Sequence, residues 1–240
     1  RLLLLVNSLL DFSRLESGRT TARFAPLDLA RYTTELASMF RSAYERADLT
    51  LEVDCPPLSA PVFVDADMWA KIVLNLLSNA LKFTFEGGVE VRLDEAGGAP
   101  RLVVTDTGTG IEPAEQALLF ERFHRVLGAR SRSHEGTGIG LALVAELTGL
   151  HGGQVAVAST PERGSTFTVT VPFGSAHLPA DQVAPEGGAT TAAARAEGFL
   201  LDAMRWLERT PDTAPSDGSR APGARPRILV VDDNADMREY

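Results

Sequence analysis

Residues 64–84, VDADMWAKIVLNLLSNALKFT, constrain the fold more than any other stretch of the chain, because they make one helix with two unlike faces. At helical spacing Met68, Ile72, Leu76 and Ala80 form one apolar row, and Trp69, Val73, Leu77 and Leu81 form the row beside it. Lys71, Asn75, Ser78, Asn79 and Lys82 recur at intervals of three or four on the other side. From Asn75 to Lys82 the rise is roughly 10 Å, about the length of an extended triphosphate with its metal. Asn is a mediocre helix former, so two of them in mid-helix call for a reason. The stripe is either a solvated face or a binding surface, and this helix alone does not decide which.

The neighbouring stretches supply the layers. A short strand at 23–27 stops at Pro26, and Asp28 caps a helix running to about Ala47. LTLEVDC and PVFVDA read as strands; VEVRLDE and RLVVTDT read as a hairpin turning at Gly97-Gly98. IGLALVAELTGLHGG is a helix ending on its own glycines, followed by the closing strands QVAVAST and STFTVTVPF. The expected fold class is therefore α/β (α+β), a two-layer sandwich of helices on a mixed or antiparallel sheet, spanning 22–175. Residues 1–18 read as the end of a helical hairpin or dimeric bundle. Residues 176–226 shift to Ala, Pro, Gly, Ser and Thr, a linker with one amphipathic island at 196–210. RILVVDDNADMREY, 227–240, opens a further unit, because a buried strand entering an acidic pair has no place in the preceding sandwich.

Composition narrows the function. With 32 acidic and 23 basic residues the net charge is −9, and no Lys/Arg block with interleaved aromatics occurs, which argues against direct nucleic-acid binding. The single cysteine, Cys55, excludes an internal disulfide framework, fits a reducing compartment, and reads as packing before Pro56-Pro57. The longest apolar run, LLLLVNSLL, is too short to span a bilayer, and no targeting signal is visible; a cytoplasmic (bacterial) location is expected, with membrane attachment of the full-length protein left open.

Two glycine-bearing turns and the segment between them carry the chemistry. DTGTGI, 106–111, follows a strand: Gly108 and Gly110 permit close backbone approach, and Asp106 can accept a hydrogen bond from an exocyclic amine. GTGIGL, 136–141, opens a helix whose free amides and positive dipole end suit phosphate oxygens. In LFERFHRVLGARSRSHE between them, Phe120 and Phe123 with Leu119 read as a short packing helix. Arg122, Arg125, Arg130 and Arg132 suit a basic lid over an anion, or a solvated loop, which is the simpler reading of Arg130 and Arg132 taken singly. Each motif alone also reads as an ordinary turn or loop.

Their order is more specific than any one of them. Asn75-x3-Asn79-x2-Lys82, then DTGTGI, the paired phenylalanines and GTGIGL, resembles the catalytic ATP-binding domain of sensor histidine kinases, within the superfamily of gyrase, heat-shock chaperone and mismatch-repair ATPases. NLLSNALKF, DTGTGI, LFERF and GTGIGL match the family's asparagine, glycine and phenylalanine boxes almost without departure. LLDFSRLESG looks like the end of the dimerisation and phosphoacceptor hairpin, and RILVVDDNADMREY like the start of a receiver domain, which makes the protein similar to a hybrid kinase.

The resemblance implies ATP and Mg2+ as ligands and a set of roles. Asn79 would coordinate the metal, Asn75 would stand close by, and Lys82 would meet a phosphate as a point charge. Asp106 would read the adenine amine, with Gly108, Gly110 and Ile111 shaping the pocket and Ser165 helping at the adenine end. Gly136, Thr137, Gly138, Gly140 and Leu141 would line the phosphates, and Phe123 and Arg125 would belong to the lid. In hydrolysing members of the superfamily a glutamate stands where this chain has Asn75; a carboxamide cannot take a proton from water, which favours transfer to a protein nucleophile. His134-Glu135 and His124 fall in the lid, His151 at a helix end and His177 in the linker, so the acceptor histidine is expected upstream of Arg1. Asp232 and Asp233 would be the receiver's magnesium-holding pair, with its phosphoacceptor aspartate beyond Tyr240. The expected partners are the chain's own hairpin, a receiver or response regulator, and a second copy in a homodimer. The rivals are an ATP hydrolase of the gyrase or chaperone kind and a catalytically silent scaffold.

Overall fold

The structure, a computed structural model, describes residues 22–126, 131, 132 and 138–184. All belong to the first of the chain's two units, Arg1–Arg209 and Thr210–Tyr240, and the second lies wholly outside the described residues. The hairpin end at 1–18, the amphipathic island at 196–210 and the receiver start at 227–240 therefore fall outside them as well.

Alternation in the sequence becomes a mixed five-stranded sheet. Its strands are β2 (Thr50–Asp54), β4 (Gly88–Ala96), β5 (Ala99–Asp106), β6 (Gln154–Thr160) and β7 (Gly164–Thr170), in the order β2-β4-β5-β7-β6. The β2–β4 pair is parallel and the other pairs are antiparallel. Register places Val91 opposite Val104, Val104 opposite Phe167, and Phe167 opposite Val157, an apolar row across the helix-facing side. Glu90 and Arg92 on the alternate positions are exposed. The remaining strands, β1 (Ala25–Leu27) and β3 (Val62–Val64), pair with each other and not with the main sheet.

The central helix is α3 (Ala66–Phe83), capped by Asp65, whose carboxylate accepts the N–H groups of Asp67 and Met68. Both predicted apolar rows are buried, and Trp69 is 0% exposed, which by area alone contributes about 2–3 kcal/mol. The Trp69 indole N–H donates to Thr33 Oγ1 at 3.0 Å, and the Tyr44 hydroxyl to Leu77 O at 2.8 Å. The single helix expected before Ala47 is two, α1 (Leu29–Met39) and α2 (Arg41–Arg46). A turn at Phe40, whose N–H bonds Ala37 O, redirects the chain so that Phe40 and Tyr44 both enter the core.

Helix α4 (Pro113–Gln116) is a single turn, and the residues after it correct a second expectation. Residues 117–123 form turns and no packing helix: Leu119 is buried and Phe120 half-buried, but Phe123 is 64% exposed at φ 61°. Its N–H is held by Gly138 O at 2.9 Å, which aims the ring away from the core. Helix α5 (Gly140–Leu150) ends at His151 as expected. Residues 175–184 pack back on the domain: Leu178 is buried, and Phe24 exchanges backbone hydrogen bonds with Gln182 O and the Ala184 N–H at 2.9 and 2.7 Å. Among the described residues no helix is long and apolar enough to cross a membrane.

Candidate functional site

β5 delivers Asp106 to the end of the sheet, where it is 7% exposed. Its Oδ1 accepts the N–H of Gly108 at 2.8 Å and of Ser165 at 3.3 Å. Among the described residues no hydrogen bond reaches Oδ2, so one oxygen is spent on orienting the carboxylate and the other is left as an acceptor. Burial raises the Asp106 pKa above the usual carboxylate range, while the two backbone N–H groups pull it back. Gly164 makes this approach possible: at φ +100°, an added Cβ would lie 1.9 Å from Asp106 O.

A second ring of polar contacts holds the turn after Asp106. Ser159 Oγ accepts the Ile111 N–H at 2.9 Å, donates to Gly164 O at 2.8 Å and lies 2.9 Å from Ser165 Oγ. The Gln116 amide donates to Ile111 O and Ser159 O, each at 2.9 Å. Gly108 packs against Phe83 O and Gly110 against Thr160 O. A cavity of about 500 Å3 opens here, lined by Asp106, Gln116, Ser159, Arg163 and Ser165, with Thr105 and Thr166 alongside. Ser159, Gln116 and Gly164 escaped the sequence reading, although Gly164 stands directly before the Ser165 it singled out.

The polar stripe of α3 does not line that cavity. Its two carboxamides differ: Asn75 Nδ2 donates to Lys71 O at 2.7 Å, whereas Asn79, also half-buried, makes no hydrogen bond among the described residues. Asn75 Oδ1 faces the first residue of α5, where a Cβ on Gly140 would lie 2.8 Å from it. Lys82 is 7% exposed, with Nζ 5.1 Å from the centre of the Phe83 ring. The stripe is thus partly buried, not a solvated face. Two loops seal its end: Thr109 donates its N–H to Phe83 O at 3.2 Å and Arg132 donates to Lys82 O at 2.9 Å. The Arg132 guanidinium bonds the Thr84, Phe85 and Ala47 carbonyls, so the reading of Arg132 as a solvated side chain is overturned.

Gly138 packs on the backbone of Phe123 and His124, which brings the second glycine turn against the phenylalanine segment. Among the described residues no side chain caps α5. Ile111 and Leu141 are half-buried, Arg125 is exposed, and His124 Nε2 lies 2.6 Å from Glu115 Oε2. Gly136, Thr137, Arg130, His134, Asp232 and Asp233 lie outside the described residues.

The model of the histidine kinase-, DNA gyrase B- and HSP90-like ATPases matches residues 64–175. The sensor histidine kinase TmoS of Ectopseudomonas mendocina is 35% identical across 97% of this chain, which spans 24% of that relative's length. Full-length ShkA, solved in complex with AMPPNP, is 31% identical with a TM-score of 0.63 over 73% of this chain and 36% of its own. The mycobacterial sensor histidine kinase MprB is 34% identical with a TM-score of 0.53, covering 62% of this chain and 97% of that one. On these likenesses the chain belongs to the histidine kinase-, DNA gyrase B- and HSP90-like ATPase family and carries the ATP-binding catalytic domain of sensor histidine kinases.

Proposed function

We propose that this domain binds magnesium-ATP and passes its γ-phosphoryl to a histidine on a dimerisation hairpin, and that the phosphoryl then moves to a receiver aspartate. The observation that carries the reading is Asp106, held at the end of β5 by two backbone N–H groups with Oδ2 left unbonded among the described residues. That oxygen accepts the exocyclic amine of adenine; a guanine, which presents a carbonyl there, meets a carboxylate it cannot bond. The AMPPNP complex of ShkA supports this ligand class.

From the adenine the phosphates extend toward α3 and the N-terminal turn of α5 at Gly140 and Leu141. The half-buried Asn79 oxygen, unbonded among the described residues, fits a hard cation, and Asn79 would hold magnesium. When bound, the metal supplies charge neutralisation to the phosphate oxygens. Lys82 adds a fixed positive charge at the stripe's end. Asn75, with its amide donating to Lys71 O, has no basic atom to draw a proton from water. The P–O bond to ADP breaks as a P–N bond to the acceptor imidazole forms, and the imidazole proton leaves to solvent. Phe123 and Arg125 would border the phosphates; Gly136 and Thr137 with them, and Asp232 and Asp233 in the receiver, keep the roles the sequence resemblance implies. The partners are the hairpin, the receiver or a response regulator, and a second copy of the chain, in a cytoplasmic setting.

The test is to supply radiolabelled magnesium-ATP and a separately made phosphoacceptor hairpin. Acid-labile, base-stable label on the hairpin supports the reading. Steady phosphate release that ignores the hairpin would make the domain a hydrolase.

A further inference from the structure

Every helix ends with carbonyls that lack a helical partner. In the last turn of α3 they are shared out: Ala80 O accepts the Thr84 N–H, Phe83 O accepts the Thr109 N–H, and Lys82 O accepts the Arg132 N–H at 2.9 Å. Arg132 reaches further with its side chain. Nε donates to Thr84 O at 2.9 Å, and Nη2 lies 3.3 Å from both Phe85 O and Ala47 O. The guanidinium sits 5.2 Å from the centre of the Phe85 ring. Its Nε and Nη2 are therefore bonded to backbone on two chain segments, the turn after α2 and the exit from α3. A planar fork can bridge such carbonyls; the single ammonium of a lysine cannot reproduce that geometry.

We propose that Arg132 is a positioning residue for the phosphate end of the nucleotide: it fixes the last turn of α3, and with it Lys82, without touching the ligand. This rests on the function proposed above. The adenine end is held by separate means, since Asp106 is oriented by Gly108 and Ser165 and the turn after it by Ser159 and Gln116. Loss of Arg132 should therefore weaken ligands that reach α3 and spare those that do not.

Equilibrium affinities of the full 240-residue chain for magnesium-ATP and for adenosine separate the two ends. Arg132→Ala should weaken magnesium-ATP about tenfold, or about 1.4 kcal/mol, and adenosine by less than about twofold. Arg132→Lys should recover only part of that loss. Equal losses for both ligands would make Arg132 a general scaffold residue and overturn the proposal, as would unchanged ATP affinity. Asp106→Asn, measured in parallel, keeps the two claims apart: ATP binding that survives this change contradicts the assigned site whatever Arg132 does.

Discussion

The two ends of the site are built on opposite principles. At the sheet end nearly every polar group is already engaged: Asp106 Oδ1, Ser165, Ser159 and Gln116 form one connected network around a single open oxygen. Along α3 the site is incomplete, because Asn79 makes no bond among the described residues while Asn75, one turn away, is tied to its own helix. On the proposed function, a carboxylate that discriminates one heterocycle gains from fixed geometry. A metal and a triphosphate bring their own charge, and carboxamides that face them need only be near and unspent.

The contrast orders the expected effects of mutation. Gly164→Ala should be the most damaging, because a Cβ 1.9 Å from Asp106 O at φ +100° forces β7 away from β5. A stability loss of about 3 kcal/mol, roughly 10 °C in thermal midpoint, is expected by calorimetry.

Asp106→Asn should keep the fold and cost about a hundredfold in ATP affinity, since its amide opposes the adenine amine with a donor. The empty protein should respond the other way. The Asp106 pKa is raised by burial, so its contribution to stability is full below the unfolded value of 3.8 and is lost as pH rises through the folded value. The thermal midpoint of the Asn variant should therefore gain on the wild type as pH rises from 3 toward neutrality, and a constant difference would contradict that.

Asn79→Ala and Asn75→Ala sharpen the comparison within α3. The first should reduce the magnesium-dependent part of ATP affinity about tenfold. The second, whose amide is already bonded to Lys71 O, should change affinity by less than about threefold. Titrations with and without magnesium distinguish them.

The smallest effect lies outside both ends. His151 is 1% exposed, with Nδ1 donating to Leu147 O and Nε2 accepting the Asp65 N–H. Burial lowers its pKa, so the stability it contributes is present above the unfolded value of 6.5 and is lost as pH falls through the folded value. The wild-type thermal midpoint should decline by a few degrees on acidification below that value, and His151→Gln should flatten the decline.

How legible each part was in the sequence follows from how local its cause is. The buried rows of α3 and the placement of Asp106 at a strand end follow from periods of 3.6 and 2, which need no partner to be read. The unlike fates of Asn75 and Asn79 were not legible, since residues four apart share a stripe and only the arrival of Gly140 beside Asn75 separates them. Ser159 and Gln116 join the network from positions distant in the chain, and neither belongs to a motif. Phe123 read as part of a short packing helix because an aromatic beside Phe120 usually packs; its positive φ accompanies the bond to Gly138 O, a contact no local pattern announces. Arg132 read as solvated for the same reason, with its carbonyl partners lying on 47, 84 and 85.

The central claim is that one carboxylate, prepared by the sheet, selects the base. Calorimetric titration of the wild-type chain with magnesium-ATP and magnesium-GTP, repeated on Asp106→Asn, tests it most directly. The account predicts ATP binding, GTP weaker by about a hundredfold, and loss of that preference in the variant. Equal affinity for the two nucleotides in the wild type, or an unchanged preference without the carboxylate, would contradict it.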